Sequence, residues 1–180
     1  MIRIAILQQL HDQEPLVPLY AGHFAKALWL DGQNERAITI EKDYSRSAEL
    51  AMNYTSLGNY QEAADILSKF PSPDTQLNAA VRLLRSAPQK TLPQENLPAL
   101  GDYYYIYLHV GAYERVLEYF EQPFRSPQDW LVLWHASYAP ARKTERFKTI
   151  VRNAGLANYW HERGWPEFCH PTTGDGFACG

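Results

Sequence analysis

The sequence has few cysteines, no cluster of basic residues and no long apolar run. Its 180 residues include two cysteines, too few for the disulfide scaffold of a small secreted domain. The 17 lysine and arginine residues are scattered, so we expect no nucleic-acid-binding surface. No apolar stretch approaches the roughly 20 residues that span a bilayer, so we expect no membrane insertion by this segment. The 46% of hydrophobic residues and the net charge of −3 are typical of a globular domain.

Motifs that carry catalytic or cofactor chemistry are missing as well. The sequence contains no P-loop, no Gly-x-Gly-x-x-Gly, no His-Glu-x-x-His and no Gly-x-Ser-x-Gly. Four side chains near the C-terminus are of types that bind metals: His161, Cys169, His170 and Cys179. Cys169 and His170 are adjacent, however, and no Cys-x-x-Cys pair occurs, so we predict no metal site. We therefore predict a protein that is not an enzyme and has no cofactor.

What the sequence does contain is a repeated helical pattern that follows a glycine. Apolar residues at the i, i+3, i+4, i+7 spacing of a buried helix face follow Gly58, a second copy follows Gly111, and a weaker third copy follows Gly32. The residues of the three copies are Tyr60, Ala63, Ala64, Leu67 and Phe70; Tyr113, Val116, Leu117 and Phe120; and Ala37, Ile38 and Ile40. Each glycine therefore precedes the second helix of a predicted pair.

Another apolar-periodic stretch precedes each of these glycines, at 19–30, 47–57 and 99–110. Each stretch has the ordinary length of a globular helix. The predicted unit is therefore a helix, a glycine-containing turn and a second helix, and such units bury their apolar faces by stacking. Prolines interrupt the chain after a further helical segment at 77–84, and we predict an irregular connector at about 87–97.

These patterns predict an all-α fold of stacked antiparallel helical hairpins that forms a single structural unit. Residues 1–137 would form the hairpins. Residues 138–180 would form C-terminal capping helices and an irregular, cysteine-containing tail. Phe147, Ile150 and Val151 mark one face of the first capping helix, and Gly155 is a suitable helix stop. Leu156, Tyr159 and Trp160 predict a second, aromatic-faced helix that seals the end of the stack.

The segment Leu-Gly-Asn-Tyr-Gln-Glu-Ala at 57–63 resembles the turn and second-helix start of a tetratricopeptide repeat. The resemblance implies divergent repeats in a solenoid whose first helices line a concave, peptide-binding face. It implies that the partner is a protein or peptide. Carried over by repeat register, the candidate partner-binding residues are Lys26, Trp29, Met52, Thr55, Tyr105 and His109.

Residues 138–179 also resemble a known segment, through Tyr-Ala-Pro-Ala-Arg at 138–142, Gly-Trp-Pro at 164–166 and the two cysteines. They are similar to the C-terminal end of bacterial tetratricopeptide-repeat proteins linked to winged-helix regulators or adenylate-cyclase-like signalling modules. The resemblance implies a noncatalytic protein–protein interaction module from a bacterial signalling or transcriptional-regulatory protein. The alternative is a sensory domain that binds a small ligand and reports to a linked effector. An open groove favours the first function, and a closed aromatic pocket favours the second.

Cys169 and Cys179 bear on the cellular compartment. The nine residues between them include Pro171, Gly174 and Gly176, so the segment can turn back on itself and allow a disulfide. Two free thiols in a reducing cytosol and metal ligation are the alternatives. A disulfide would favour the periplasmic side, as part of a membrane-anchored parent protein, over the cytoplasm.

Overall fold

The computed structural model describes residues 2–44, 47–69, 74–89, 96–122, 129–174 and 176–180. About 70% of the chain is helical and there is little strand, so the predicted all-α class is confirmed. The α-helices are α1 (Ile2–Gln13), α2 (Pro18–Leu30), α3 (Asn34–Asp43), α4 (Ser47–Ser56), α5 (Tyr60–Ser68), α6 (Thr75–Ser86), α7 (Tyr113–Leu117), α8 (Ala139–Arg142), α9 (Glu145–Asn153) and α10 (Leu156–Arg163). Three 3₁₀ helices span Gly101–Val110, Asp129–Trp134 and Ala136–Tyr138.

Three hairpin turns share one geometry. Gly32, Gly58 and Gly111 have φ angles of +78°, +80° and +75°, a left-handed conformation that glycine adopts without a Cβ clash. In each turn the N–H of the next residue donates to the carbonyl five residues earlier, which closes the preceding helix with a Schellman-type bond. These bonds run from Gln33 to Leu28 (2.8 Å), from Asn59 to Tyr54 (2.9 Å) and from Ala112 to Tyr107 (2.9 Å). The predicted turns at the three glycines are confirmed.

The helices pack against one another in chain order, from α1 through α6 to the Gly101–Val110 helix and then α7. Small or β-branched side chains are fully buried at the same position in the second helix of each hairpin. These residues are Ala37, Ala63 and Val116, which all have no exposed surface. Ala51 in α4 is equally buried. Side chains of this size allow neighbouring helix backbones to approach closely.

The third hairpin departs from the prediction in its first helix. The pattern over 99–110 predicts an α-helix, but residues Gly101–Val110 form a 3₁₀ helix that is interrupted at Tyr103, where φ is −90° and ψ is 15°. Gly101 has a φ of +53°, and a Cβ there would lie 2.2 Å from the side-chain oxygen of Gln76 in α6. Because a 3₁₀ helix has three residues per turn, side chains beyond Tyr103 leave the α-helical register.

Helix α6 agrees with the helical pattern at 77–84, and Asp74 caps it by accepting a hydrogen bond from the Gln76 N–H at 2.8 Å. The predicted connector at 87–97 is only partly described. Residues 90–95, including Pro93, lie outside the described residues, as do Phe70 and residues 123–128. Leu97 and Leu100, at the end of the connector, are buried in the core.

The C-terminal helices form an aromatic cluster. The Thr144 hydroxyl accepts a hydrogen bond from the Phe147 N–H at 3.2 Å and caps α9. Gly155, with a φ of +71°, separates α9 from α10. Trp160 of α10 meets Trp134 and Phe177 edge to face, with ring centroids 5.9 Å apart in both pairs. The prediction that Tyr159 shares this buried face is wrong, because its side chain is 59% exposed.

The tail is more regular than predicted. Strands β1 (Cys169–Pro171) and β2 (Phe177–Cys179) form an antiparallel pair in which Cys169 lies opposite Cys179, and the two residues form a disulfide. The expectation of an irregular tail is therefore wrong. Gly174 has a φ of +66°, and the Thr172 N–H donates to the Gly176 carbonyl at 2.9 Å, so the turn continues the strand pairing.

No helix within the described ranges has both the length and the apolar character needed to cross a membrane.

Replacing Ala63 by leucine should destabilise the fold. Ala63 is fully buried in α5, which packs between α4 and α6. We expect Ala63→Leu to lower the free energy of unfolding by about 1–3 kcal/mol, because the added atoms overpack the helix interface. Urea denaturation measures the change. The matched control is Ala48→Leu at an exposed site in α4, which should stay close to the parent protein. An unchanged stability of Ala63→Leu would show that the interface has room for a larger side chain.

The disulfide should stabilise the tail and with it the whole fold. The bond closes a loop between two cysteines that are 10 positions apart in the sequence. We expect the double variant Cys169→Ala, Cys179→Ala to lose roughly 2–3 kcal/mol of unfolding free energy, since the unfolded chain regains the entropy of the open loop. Urea denaturation of the oxidised parent, the reduced parent and the variant measures the loss. Equal stability of all three would contradict this expectation.

Candidate functional site

A cavity of about 340 Å³ lies between the first helices of the hairpins and a C-terminal 3₁₀ helix. Helix α2 lines the cavity through residues that include Lys26 and Trp29, and Met52 of α4 also lines it. The Asp129–Trp134 helix closes the far side through Asp129 and Val132. The remaining lining residues are Leu19, Gly22, His23, Glu41, Glu49, Asp102, Tyr104 and Tyr119.

Trp29 fixes the base of the cavity. Its side chain is fully buried, and its indole N–H donates to the Ser56 hydroxyl of α4 at 3.0 Å. The indole ring stacks on the imidazole of His135, with ring centroids 3.9 Å apart and an interplanar angle of 9°. A single side chain therefore joins the first hairpin, the second hairpin and the C-terminal part of the chain.

His135 is held in one orientation and in its neutral form. Its Nδ1 accepts a hydrogen bond from the Ser137 N–H at 3.2 Å and lies 2.7 Å from the Ser137 hydroxyl. Burial, reinforced by the nearby positive charge of Arg142, lowers the pKa of His135 to about 4. The imidazole that stacks on Trp29 is therefore uncharged at neutral pH.

Arg142 holds the backbone of the same segment, from Leu133 to His135. Its guanidinium is almost fully buried, and its Nη1 donates to the carbonyl oxygens of Leu133 at 2.7 Å and His135 at 3.0 Å. The guanidinium also lies over the ring of Phe168, 5.0 Å from the centroid. Burial lowers the pKa of Arg142, and the carbonyl dipoles at the end of the Asp129–Trp134 helix offset part of the cost of burying its charge.

Tyrosine rings form one side of the cavity. Tyr104 stacks on Tyr119 with ring centroids 3.7 Å apart and an interplanar angle of 15°. Phe120 meets the Tyr104 ring edge to face at 5.3 Å. The Tyr119 hydroxyl donates to the Asp102 carboxylate at 3.4 Å, so a carboxylate and two aromatic faces lie together on this side.

Glu41 places a buried carboxylate against the cavity. Its side chain is only 2% exposed, and the Asn53 amide of α4 donates to both carboxylate oxygens at 2.9 Å. A buried carboxylate is costly unless it is hydrogen-bonded, and this contact ties the second helix of the first hairpin to the first helix of the second.

The structure brings together three of the six predicted partner-binding residues, because Lys26, Trp29 and Met52 all line the cavity. Thr55 does not line it: its buried hydroxyl donates to the Met52 carbonyl at 2.7 Å within α4. Tyr105 is buried in the core rather than on the concave side. His109 packs against Tyr60 with ring centroids 5.3 Å apart, and burial lowers its pKa to about 4.

The main difference arises in the Gly101–Val110 helix. The repeat register predicts Tyr105 on the concave face, but Tyr105 is buried in the core and its neighbour Tyr104 lines the cavity. The carboxylates of the cavity carry no sequence motif, so the sequence analysis missed Glu41, Glu49, Asp102 and Asp129. Within the described ranges, no group of three or more His, Cys, Asp or Glu side chains is placed to hold a metal ion.

Comparison of the chain with protein-family models, with curated proteins and with solved structures finds no match.

The stability of the fold should fall as the pH is lowered from about 6.5 toward 4. The folded-state pKa values of His109 and His135 are about 4, whereas an unfolded histidine has a pKa near 6.5. Between these values the unfolded chain binds more protons, so acid favours unfolding by up to about 1.4 kcal/mol per pH unit for each group. His135→Asn removes one of the two groups while keeping an acceptor for the Ser137 N–H.

Urea denaturation at several pH values measures this slope. We expect His135→Asn to be less stable at pH 7, since the stack is lost, and to show a shallower decline between pH 6.5 and 4.5. The control is Ala48→Asn at an exposed site in α4, which removes no titratable group and should keep the slope of the parent. Parallel curves for His135→Asn and the parent would contradict the assignment of this pH dependence to His135.

Proposed function

We propose that this chain is a noncatalytic protein–protein interaction module that binds a basic side chain of a partner segment in the concave cavity. The observation that carries this proposal is the composition of the lining. Among the described lining residues, Glu41, Glu49, Asp102 and Asp129 contribute four carboxylates and Lys26 contributes one ammonium. An excess of negative charge in a low-dielectric recess attracts a cation and disfavours an anionic partner.

The aromatic walls favour the same occupant. Tyr104 and Tyr119 line the cavity with partly exposed rings, and a guanidinium or ammonium is attracted to the face of such rings. Arginine is the better fit of the two, because its planar guanidinium both stacks on aromatic faces and donates to carboxylates in pairs. Its aliphatic stem would pack against Leu19 and Met52 at the cavity wall.

The size of the cavity limits what enters it. About 340 Å³ is near the lower end of the roughly 300–1,000 Å³ range of ligand sites, so one side chain enters while the rest of the partner segment stays outside. In this mode the partner is a peptide segment anchored by a single arginine or lysine.

The tetratricopeptide resemblance supports an interaction role, because arrays of this kind bind peptide segments with residues of their first helices. Lys26, Trp29 and Met52 belong to the first helices α2 and α4. We propose further that the helical hairpins form a tetratricopeptide-like solenoid. The resemblance of residues 138–179 supports a bacterial signalling or transcriptional regulator as the source of the module.

A sensory domain for a small cationic ligand is the second candidate. The observation that favours it is the presence of Asp129 and Val132 in the lining, because a groove formed by the first helices alone would have no wall from the C-terminal part of the chain. The same carboxylates and rings would then bind an amine or guanidine that is not part of a protein.

Binding of short model peptides tests the proposal. The probe is acetyl-Gly-Ala-Arg-Ala-Gly-amide, and the matched control replaces arginine by the uncharged citrulline. We expect the arginine peptide to bind more tightly than the citrulline peptide by calorimetric titration. Glu49→Gln and Asp102→Asn should each lower the affinity for the arginine peptide by about two- to fivefold, the usual range for one exposed charge pair. Added salt should weaken it further.

The control variant is Glu62→Gln on α5, an exposed carboxylate that does not line the cavity. It should bind the arginine peptide like the parent protein. Equal affinity for the arginine and citrulline peptides would overturn the proposal. Agmatine, the decarboxylated form of arginine, separates the two candidate functions, since agmatine binding without peptide binding would support the sensory domain.

A further inference from the structure

A second cavity, of about 510 Å³, lies on the other side of the Asp129–Trp134 helix. Trp130, Leu131 and Trp134 of this helix form one wall. The opposite wall comes from the end of α9 and from α10, and its residues are Ala154, Leu156 and Trp160. This volume is well inside the roughly 300–1,000 Å³ range of small-molecule sites.

The lining of this cavity is apolar and aromatic. None of the lining residues that the structure describes carries a charge, in contrast to the acidic cavity. Among the described residues, the indole N–H groups of Trp130, Trp134 and Trp160 donate no hydrogen bond to protein atoms. An apolar guest would therefore gain burial and ring contacts here without desolvating a charged group.

A second layer of rings holds the cavity walls in place. Trp134 meets Phe147 edge to face at a centroid distance of 6.3 Å, and Phe147 itself is fully buried in α9. Trp160 contacts Trp165 at 5.6 Å and Phe177 of β2 at 5.9 Å. Because rings from the helices and from the disulfide-bonded tail brace one another, the recess is a built feature of the packed C-terminal region rather than a gap between loose side chains.

We propose that this tryptophan-lined cavity binds a small, uncharged aromatic molecule. Ring faces and edges of three indoles favour an aromatic guest through stacked and edge-to-face contacts. A peptide is a poorer guest, because it would bring many backbone N–H and C=O groups against mostly apolar and aromatic side chains. An anion pays the cost of desolvating its charge, and no carboxylate among the described lining residues is placed to pair with a cation.

The site is independent of the acidic cavity and of the function proposed for it. Among the described lining residues, the Asp129–Trp134 helix is the element that both cavities share, and different residues of that helix face each cavity. A failure of arginine-peptide binding would therefore leave this second site untouched, and the reverse also holds.

Titration with N-phenyl-1-naphthylamine tests the proposal. This uncharged dye becomes more fluorescent in apolar surroundings. We expect saturable binding with one dye per chain and a loss of tryptophan emission, because three of the five tryptophans line the cavity. Absence of saturable binding would overturn the proposal. Displacement of the dye by the arginine peptide would place it in the acidic cavity and overturn it as well.

Two variants address the site without removing a core residue. Ala154→Phe fills the cavity from an exposed position at the end of α9. Leu156→Glu brings a charge to its edge at the first residue of α10, where a carboxylate suits the helix N-terminus. We expect each variant to bind the dye at least tenfold more weakly than the parent protein does. The melting temperature of each variant should stay near that of the parent.

The matched control is Ala48→Phe, which adds the same side chain at an exposed site in α4 that lines neither cavity. It should bind the dye like the parent protein. Unchanged dye affinity in both Ala154→Phe and Leu156→Glu, with the fold retained, would show that the dye binds elsewhere and would overturn the proposal.

Discussion

The stack of Trp29 on His135 is the contact on which the candidate site depends. It joins α2, near the N-terminus, to the segment that follows the Asp129–Trp134 helix, and its rings lie 3.9 Å apart. The indole N–H reaches Ser56 of α4 at the same time. Together with the ion pairs of Arg146 with Glu118 and Glu121, this stack positions the C-terminal part of the chain against the helical hairpins.

The stack in turn depends on two buried side chains, those of His135 and Arg142. Arg142 donates to the carbonyls of Leu133 and His135, so a buried positive charge is placed where the carbonyl dipoles of a helix end are concentrated. Its charge helps to hold the pKa of His135 low, which keeps the stacked imidazole neutral. Arg142 therefore fixes the backbone position of the residue that meets Trp29 and adds to the effect of burial in keeping it neutral.

The helical hairpins could be predicted from the sequence because their signals are local. A glycine with positive φ and a following i, i+3, i+4, i+7 stripe are properties of neighbouring residues, and they located the turns at Gly32 and Gly58. The repeat register predicted Lys26, Trp29 and Met52 on the concave face. They line the cavity because α2 and α4 are regular α-helices that keep this register. It failed at Tyr105 because the kinked 3₁₀ helix does not keep α-helical spacing. The acidic lining could not be predicted, because it comes from segments far apart in the chain that share no spacing.

The Asp129–Trp134 helix gives the two cavities opposite chemistry because of its period. With three residues per turn, residues three apart share a face. Asp129 and Val132 face the acidic cavity, whereas Leu131 and Trp134 face the tryptophan-lined one. A short 3₁₀ helix can therefore serve as a thin wall with a charged side and an aromatic side.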